Sequence, residues 1–227
     1  MLQGQSLTLT YQDGDKTMDA VNDVSIAIQD YQFIGILGPS GSGKSSLLYL
    51  LSGLRKPSGG EIYLDDRAYG KMSDRERVAL RRNEYGFVFQ QHFLINYLTV
   101  LENVMVAAPA QDKAHAAQAR ALLADLGMGD KLHRFPYELS GGERQRVAVA
   151  RAMIHRPRII FADEPTGLLD RHTGLQVMAL LRGYRKQGSL IAVTHNPEIL
   201  AEADLVITLR DGRITNVQDR VTRVAAN

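Results

Sequence analysis

The sequence contains no cysteine, which excludes a disulfide scaffold and any metal centre built on thiolates. It has little net charge: the balance is +2 at pH 7, too small to imply a nucleic-acid partner, and none is expected. It lacks any run approaching the ~20 consecutive apolar residues that span a bilayer, so work at a membrane would need another chain to bring it there. The opening stretch Met1–Ala20 has no basic region followed by an apolar run, so a secretory signal is not expected. No internal repeat, low-complexity tract or long linker interrupts the chain. What is present is an ordinary soluble composition, 44% apolar and 23% charged over 227 residues. That length suffices for a sizeable core and one large domain or two small ones.

Hydrophobic patterning divides the chain into strands and helices. Ser6–Thr10 and Val21–Ile28 alternate as half-buried strands do, and Phe33–Leu37 is a short apolar strand running into Gly38. A helix is expected over Lys44–Leu54, then a turn, then a strand at Glu61–Leu64. Ser73 with Glu76, Thr99 with Glu102 and Ser140 with Glu143 form capping-box starts. A helical pattern from Asp112 to Leu126 stops at Gly127. Strand Arg158–Ala162, helix Arg171–Gln187, strand Ser189–Thr194, a short helix at Pro197 and a hairpin over Leu205–Ile214 complete the pattern. Strands alternating with helices imply a parallel α/β core, and the early alternating strands imply an antiparallel β subdomain. The segment from about Gln91 to Ser140 reads as mostly helical, set between two core strands.

Three segments carry chemistry. Gly38-Pro39-Ser40-Gly41-Ser42-Gly43-Lys44-Ser45 matches G-x-x-x-x-G-K-[ST] between an apolar strand and a helix. The glycines let backbone amides curl towards phosphate oxygens, Lys44 reaches the terminal phosphates, and Ser45 offers a hydroxyl to magnesium. Ile159–Ala162 ends in two carboxylates: Asp163 is placed to hold magnesium through water, and Glu164 to orient or deprotonate an attacking water. In Leu139-Ser140-Gly141-Gly142-Glu143, the serine can cap a helix, but two glycines in a first helical turn cost about 1 kcal/mol each against alanine. Bare amides there make a second anion site. His115 and His133 are isolated and need no role, and the arginines of Arg75–Arg82 are mixed with acids as on a solvated helix face.

With these segments in place the chain resembles the ATP-binding cassette ATPases, the motor subunits of membrane transporters, from Ser6 to about Ile214. LSGGE is the signature that makes the resemblance specific. It implies a phosphate-loop NTPase core with an inserted helical signature subdomain, about 91–157, within a single nucleotide-binding domain covering 1–227. It also implies a head-to-tail dimer with two ATP molecules and Mg2+ sandwiched between phosphate loop and partner signature. Lys44, Glu164 and His195 are then the catalytic set, His195 contacting the γ-phosphate. Tyr11 would stack on adenine, Gly38 to Ser46 would cradle the phosphates, and Ser45, Gln90 and Asp163 would hold the metal. Ser140, Gly141, Gly142, Glu143 and Asp170 would act across the dimer. Ser46 and Leu168 stand where threonine and asparagine are usual in the group that includes lipoprotein-releasing, macrolide-exporting and cell-division ATPases.

The resemblance implies an exporter motor docked near Gln90–Leu98 to a membrane permease, and so a cytoplasmic location on the inner or plasma membrane. A mechanical signalling ATPase driving a membrane partner is an alternative. A soluble DNA-repair ATPase is a third, disfavoured because Ser46–Leu139 holds neither a heptad run nor cysteine.

Overall fold

The computed structural model describes residues 1–14 and 16–220. Strands β1 (Leu2–Asp13) and β2 (Lys16–Ile28) pair antiparallel, with Leu2 opposite Ile28 and Tyr11 opposite Met18. β4 (Gly59–Leu64) joins the other edge of β1, and the two-residue β5 (Arg67–Ala68) closes the order β2-β1-β4-β5. β1 is longer than its alternating stretch suggests, because register shifts at Gly4–Leu7 and Leu7–Thr10 interrupt the alternation while pairing continues.

The second sheet runs β10-β9-β3-β8-β7-β6. β3 (Phe33–Leu37), β6 (Tyr85–Val88), β7 (Ile159–Asp163), β8 (Ser189–Thr194) and β9 (Leu205–Arg210) are parallel, and β10 (Arg213–Asp219) turns back antiparallel. Every residue of β7 and β8 is buried, as expected where helices or a second sheet cover both faces. Alternate side chains feed two cores. Phe33, Ile160, Ala162, Leu190 and Ala192 join one; Ile34, Ile36, Ile159, Phe161, Ile191 and Val193 join the other. The second core is shared with the antiparallel sheet and α1 (Lys44–Leu51), which contributes Leu47, Leu48, Leu50 and Leu51. On the first face lie α3 (Val100–Met105), α4 (Lys113–Asp125), α5 (Gly141–Met153) and α6 (Arg171–Gly183). The mixed architecture expected from the patterning is therefore present.

The three capping boxes form as expected, at α2 (Asp74–Glu84), α3 and α5. Other details differ. α1 stops at Leu51, and α6 at Gly183, where it tightens into a 3-10 turn over Tyr184–Lys186. The interval between Gln91 and Ser140 is less helical than its pattern suggests. One residue explains much of this. Asn103 is fully buried and takes the place of a local backbone ladder: its side chain accepts from Ile95 N at 2.8 Å and donates to the carbonyls of Ile95, Leu98 and Thr99 at 3.1, 2.9 and 3.0 Å. A loop so bonded has no need to be helical.

The two sheets are tied at their far end by an ion cluster. Arg158, just ahead of β7, reaches Asp30 at 2.9 Å and Asp65 at 2.6 Å. Hydrogen bonding to Arg158 holds both carboxyls below their usual range. A depressed carboxylate pKa stabilises the fold above the unfolded value, near 3.8, and that contribution is lost as pH falls through the folded value. Because the partners are partly exposed, the effect is modest. Arg158→Met is expected to cost about 1 kcal/mol at pH 7, or ~2–4 °C in Tm. The difference from the unsubstituted chain should hold from pH 8 to about 5 and shrink below about 4; calorimetry across that range checks it.

Candidate active site

The parallel strands end together, and the polar groups cluster beyond their carboxyl ends, where open α/β sheets bind ligands. A cleft of about 650 Å³ there is lined by residues of the Ser40–Ser46 loop with Tyr11, Met18, Gln90, Glu164 and His195. The structure thus brings together six separate segments of chain around one opening.

The loop after β3 wraps tightly. Gly43 sits at φ 96°, and a Cβ there would lie 2.0 Å from the Ala20 carbonyl oxygen, so no other residue fits without moving backbone. Gly43 also stands at the N-cap of α1 and supplies no side-chain cap, whereas α2 to α6 are each capped by a side chain. The first-turn amides of α1 are consequently open to an external anion. Lys44 is buried and donates from Nζ to the Pro39 carbonyl at 2.8 Å, closing the loop on itself. The buried Ser42 hydroxyl has no partner among the described residues, a polar group left for something else to satisfy.

Asp163, the last residue of β7, lies behind Ser45 and does not itself line the cleft. It is 4% exposed, accepts from Ser45 Oγ at 2.8 Å through Oδ1, and accepts from the Tyr49 hydroxyl at 2.9 Å through Oδ2. Burial, then the adjacent Asp163 charge and this hydrogen bond, push the Tyr49 phenol up to about 12. The donors suited to a metal are all hard oxygens: Ser45 and the Gln90 amide on the cleft, with Asp163 directly behind Ser45. That set fits Mg2+, which keeps several waters and takes few protein ligands alongside substrate phosphate.

Glu164 leaves the strand abruptly. Its φ is +47°, unusual for a residue with a side chain, and its N–H is held by the Val193 carbonyl at 2.9 Å. Two donors from the end of β8 fix its carboxylate: Thr194 Oγ1 at 3.1 Å and His195 Nδ1 at 3.0 Å. Thr194 stands beside His195 in the chain; Tyr49 and Met18 are members of the site that the sequence motifs do not single out. Tyr49 has a signal, its i, i+4 spacing from Ser45 on one helix face; Met18 has none, since its place on the rim comes from pairing with Tyr11.

The signature segment lies elsewhere. None of Ser140, Gly141, Gly142, Glu143 or Asp170 lines the cleft. Ser140 caps α5, accepting from Glu143 N at 3.3 Å while the Glu143 carboxylate accepts from Ser140 N at 2.8 Å and pairs with Lys131. That ion pair is the main cause holding the Glu143 carboxyl below its usual range. Glu143 is thus engaged within its own chain. Asp170 caps α6 through Thr173 N at 3.0 Å. Gly141 is different: a Cβ there would meet nothing within 4 Å. No described residue of its own chain requires a glycine at that exposed helix start.

The ABC transporter family profile matches residues 21–167, more than half of the chain. An ABC transporter ATP-binding protein of Methanocaldococcus jannaschii, itself uncharacterized, is 42% identical over 221 residues, covering 96% of this chain and 99% of that protein. A macrolide export ATP-binding/permease protein of Yersinia pestis is 41% identical over 218 residues, covering 94% of this chain, which spans only 34% of that longer protein. Among solved structures, a dimeric bacterial ABC transporter cassette superposes with a TM-score of 0.91 at 36% identity, covering 96% of this chain and 98% of that one. The same cassette in a dimeric post-hydrolysis state with ADP and Pi gives 0.91 at 35% identity. With a phosphate loop, paired strand-end carboxylates and a signature helix on this fold, the chain belongs to the ABC transporter family as one of its ATP-binding cassettes.

Proposed function

We propose that this chain is the ATP-hydrolysing motor of an export-type membrane complex, working as a head-to-tail pair in which each cleft is completed by the partner's signature helix. The observation that carries the reading is the separation of the two anion sites: the phosphate loop lines the cleft, the glycine-bare start of α5 does not, and no steric need within the chain accounts for Gly141. A second copy supplies the missing half, in keeping with the dimeric state of the similar cassette. The helical segment about 91–157, carrying α3 to α5, is then one subdomain of a single nucleotide-binding domain.

In the mechanism that follows, Tyr11 stacks on the adenine and the α1 amides, Lys44 and Ser42 hold phosphate oxygens. Lys44 gives up its bond to Pro39 to do so. Ser46 adds a further hydroxyl on the loop. A magnesium ion held by Ser45, Asp163 and Gln90 would supply charge to neutralise the phosphates. Glu164, fixed by Thr194 and His195, takes the proton of the attacking water as the new oxygen–phosphorus bond forms and the bond to the departing ADP breaks. His195 then faces the γ-phosphate. From the partner come the amides of Gly141 and Gly142 with the Ser140 hydroxyl. Glu143 acts there by capping rather than by touching phosphate, since its oxygens are occupied and its charge would be repelled. Asp170 shapes the interface loop through its cap on α6.

The permease docks on a second groove, of about 690 Å³, between the end of β6 and the helical segment. Phe89 and Phe93 stand edge to face across it, 5.4 Å between ring centres, with Val106 beside them and Arg81, Arg82 and Arg151 on its walls. Such a lining suits a short amphipathic helix with an acidic residue. This extends the proposed Gln90–Leu98 surface to α2 and the segment after α3, and a permease docked there would hold the chain at the cytoplasmic face of the inner or plasma membrane.

Three outcomes are expected. Glu164→Gln keeps ATP binding, traps an ATP-bound dimer and lowers turnover by about 10²-fold or more; steady-state hydrolysis near the unsubstituted rate would remove Glu164 from the proton-transfer role. Gly142→Asp chains, with a carboxylate set against the partner's γ-phosphate, bind ATP as monomers but neither dimerise nor hydrolyse it. Mixed with Lys44→Ala chains they form one composite site carrying neither defect, so activity rises above either variant alone. Loss of ATP binding by the Gly142→Asp monomer would sink the shared-site reading. Phe93→Glu leaves hydrolysis by the isolated pair intact but uncouples it from a permease, read as lost stimulation in reconstituted vesicles.

A further inference from the structure

Asp163 is held in a way that hydrolysis as set out above does not require. Ser45 and Tyr49 lie one helical turn apart on α1, so their hydroxyls share a face and meet the two oxygens of a single carboxylate. The two donors are not equivalent. Ser45 lines the cleft, where it would meet the cation; Tyr49, like Asp163, lies behind it. Its bond to Oδ2 therefore competes with nothing at the site. Asp163 is 4% exposed, so water is not at hand to replace that bond. A carboxylate whose rear oxygen is anchored keeps one rotamer and turns Oδ1 towards Ser45, which lines the opening. Outer partners of this kind orient ligands and strengthen metal binding.

We propose that Tyr49 is a positioning residue for magnesium: its phenol hydroxyl anchors Oδ2 of Asp163 so that Oδ1 and Ser45 present a preformed oxygen edge to the cation. The proposal rests on the assignment of Asp163 to the metal. Tyr49 touches neither nucleotide nor metal, and its effect is confined to how well the cation is taken up.

The test is equilibrium binding of a non-hydrolysable fluorescent ATP analogue to the full chain, titrated with Mg2+ and repeated in EDTA. Tyr49→Phe removes the hydroxyl and keeps the ring. The half-saturating Mg2+ concentration should rise about tenfold or more, while affinity for the analogue in EDTA stays within about twofold of the unsubstituted chain. Tyr49→Leu removes the ring as well and should give a shift of the same size. Asp163→Asn serves as the reference. If it shifts the Mg2+ midpoint and Tyr49→Phe does not, the proposal is overturned and the metal assignment stands. If Tyr49→Leu shifts the midpoint and Tyr49→Phe does not, ring packing is what counts and the proposal is again overturned. Equal losses with and without Mg2+ for Tyr49→Phe show a purely structural role and overturn it as well. If Asp163→Asn leaves the midpoint unmoved, the metal assignment itself falls and takes the proposal with it.

Discussion

The parallel register of β3, β8 and β7 governs where every polar group of the cleft can stand. Leu37 pairs with Thr194, and Asp163 pairs with Val193. The strand carrying the phosphate loop, the strand carrying the two carboxylates and the strand carrying His195 therefore stop at the same level. A slip of one residue would invert each strand's faces and exchange the two cores. That slip is heavily penalised, because β7 and β8 are buried on both sides and each face is matched to its own cluster. The precision of the site is thus inherited from apolar packing some distance from any charge.

On that platform the chain concentrates unfavourable local choices and offsets each with a specific partner. Glu164 takes a left-handed backbone, at a cost of about 1–3 kcal/mol, secured by the Val193 carbonyl and two side chains of the β8 end. Asp163 is buried with a charge, and two hydroxyls cover its oxygens. α1 begins with no side-chain cap. The buried Gln145 of α5 adds a tie between elements, donating to the carbonyls of Phe89 and Pro165 at 3.3 and 3.0 Å. It links the segments that follow β6 and β7, so neither can shift without the helix.

Much of this is legible in the sequence, and for definite reasons. β3 and β8 match their sequence patterns to the residue because short apolar runs bounded by turn residues have little freedom of register. Capping boxes fix the starts of α2, α3 and α5, since the chemistry of a helix N-terminus is local. The phosphate loop is clear for the same reason. Long-range partnerships are not. Nothing near Asn103 signals that it binds carbonyls four to eight residues upstream in place of a helix. The spacing of Tyr49 from Ser45 puts both on one face of α1, but that face meets Asp163 only through the fold, across 114 positions. The signature motif points Glu143 outwards, and Lys131, twelve positions upstream, turns it inwards.

α5 has thirteen residues and is about 20 Å long. At its first turn stand the bare amides of Gly141 and Gly142. Near its last, Arg151 donates to the carbonyls of His92 and Phe93, both at 2.7 Å, gripping the loop that borders the second groove. The shaft between them is uninterrupted by proline or glycine and buried along Val147–Ala150. A rod of this kind does not compress. One helix therefore joins the exposed glycine turn to the loop beside the second groove, with no flexible joint between them.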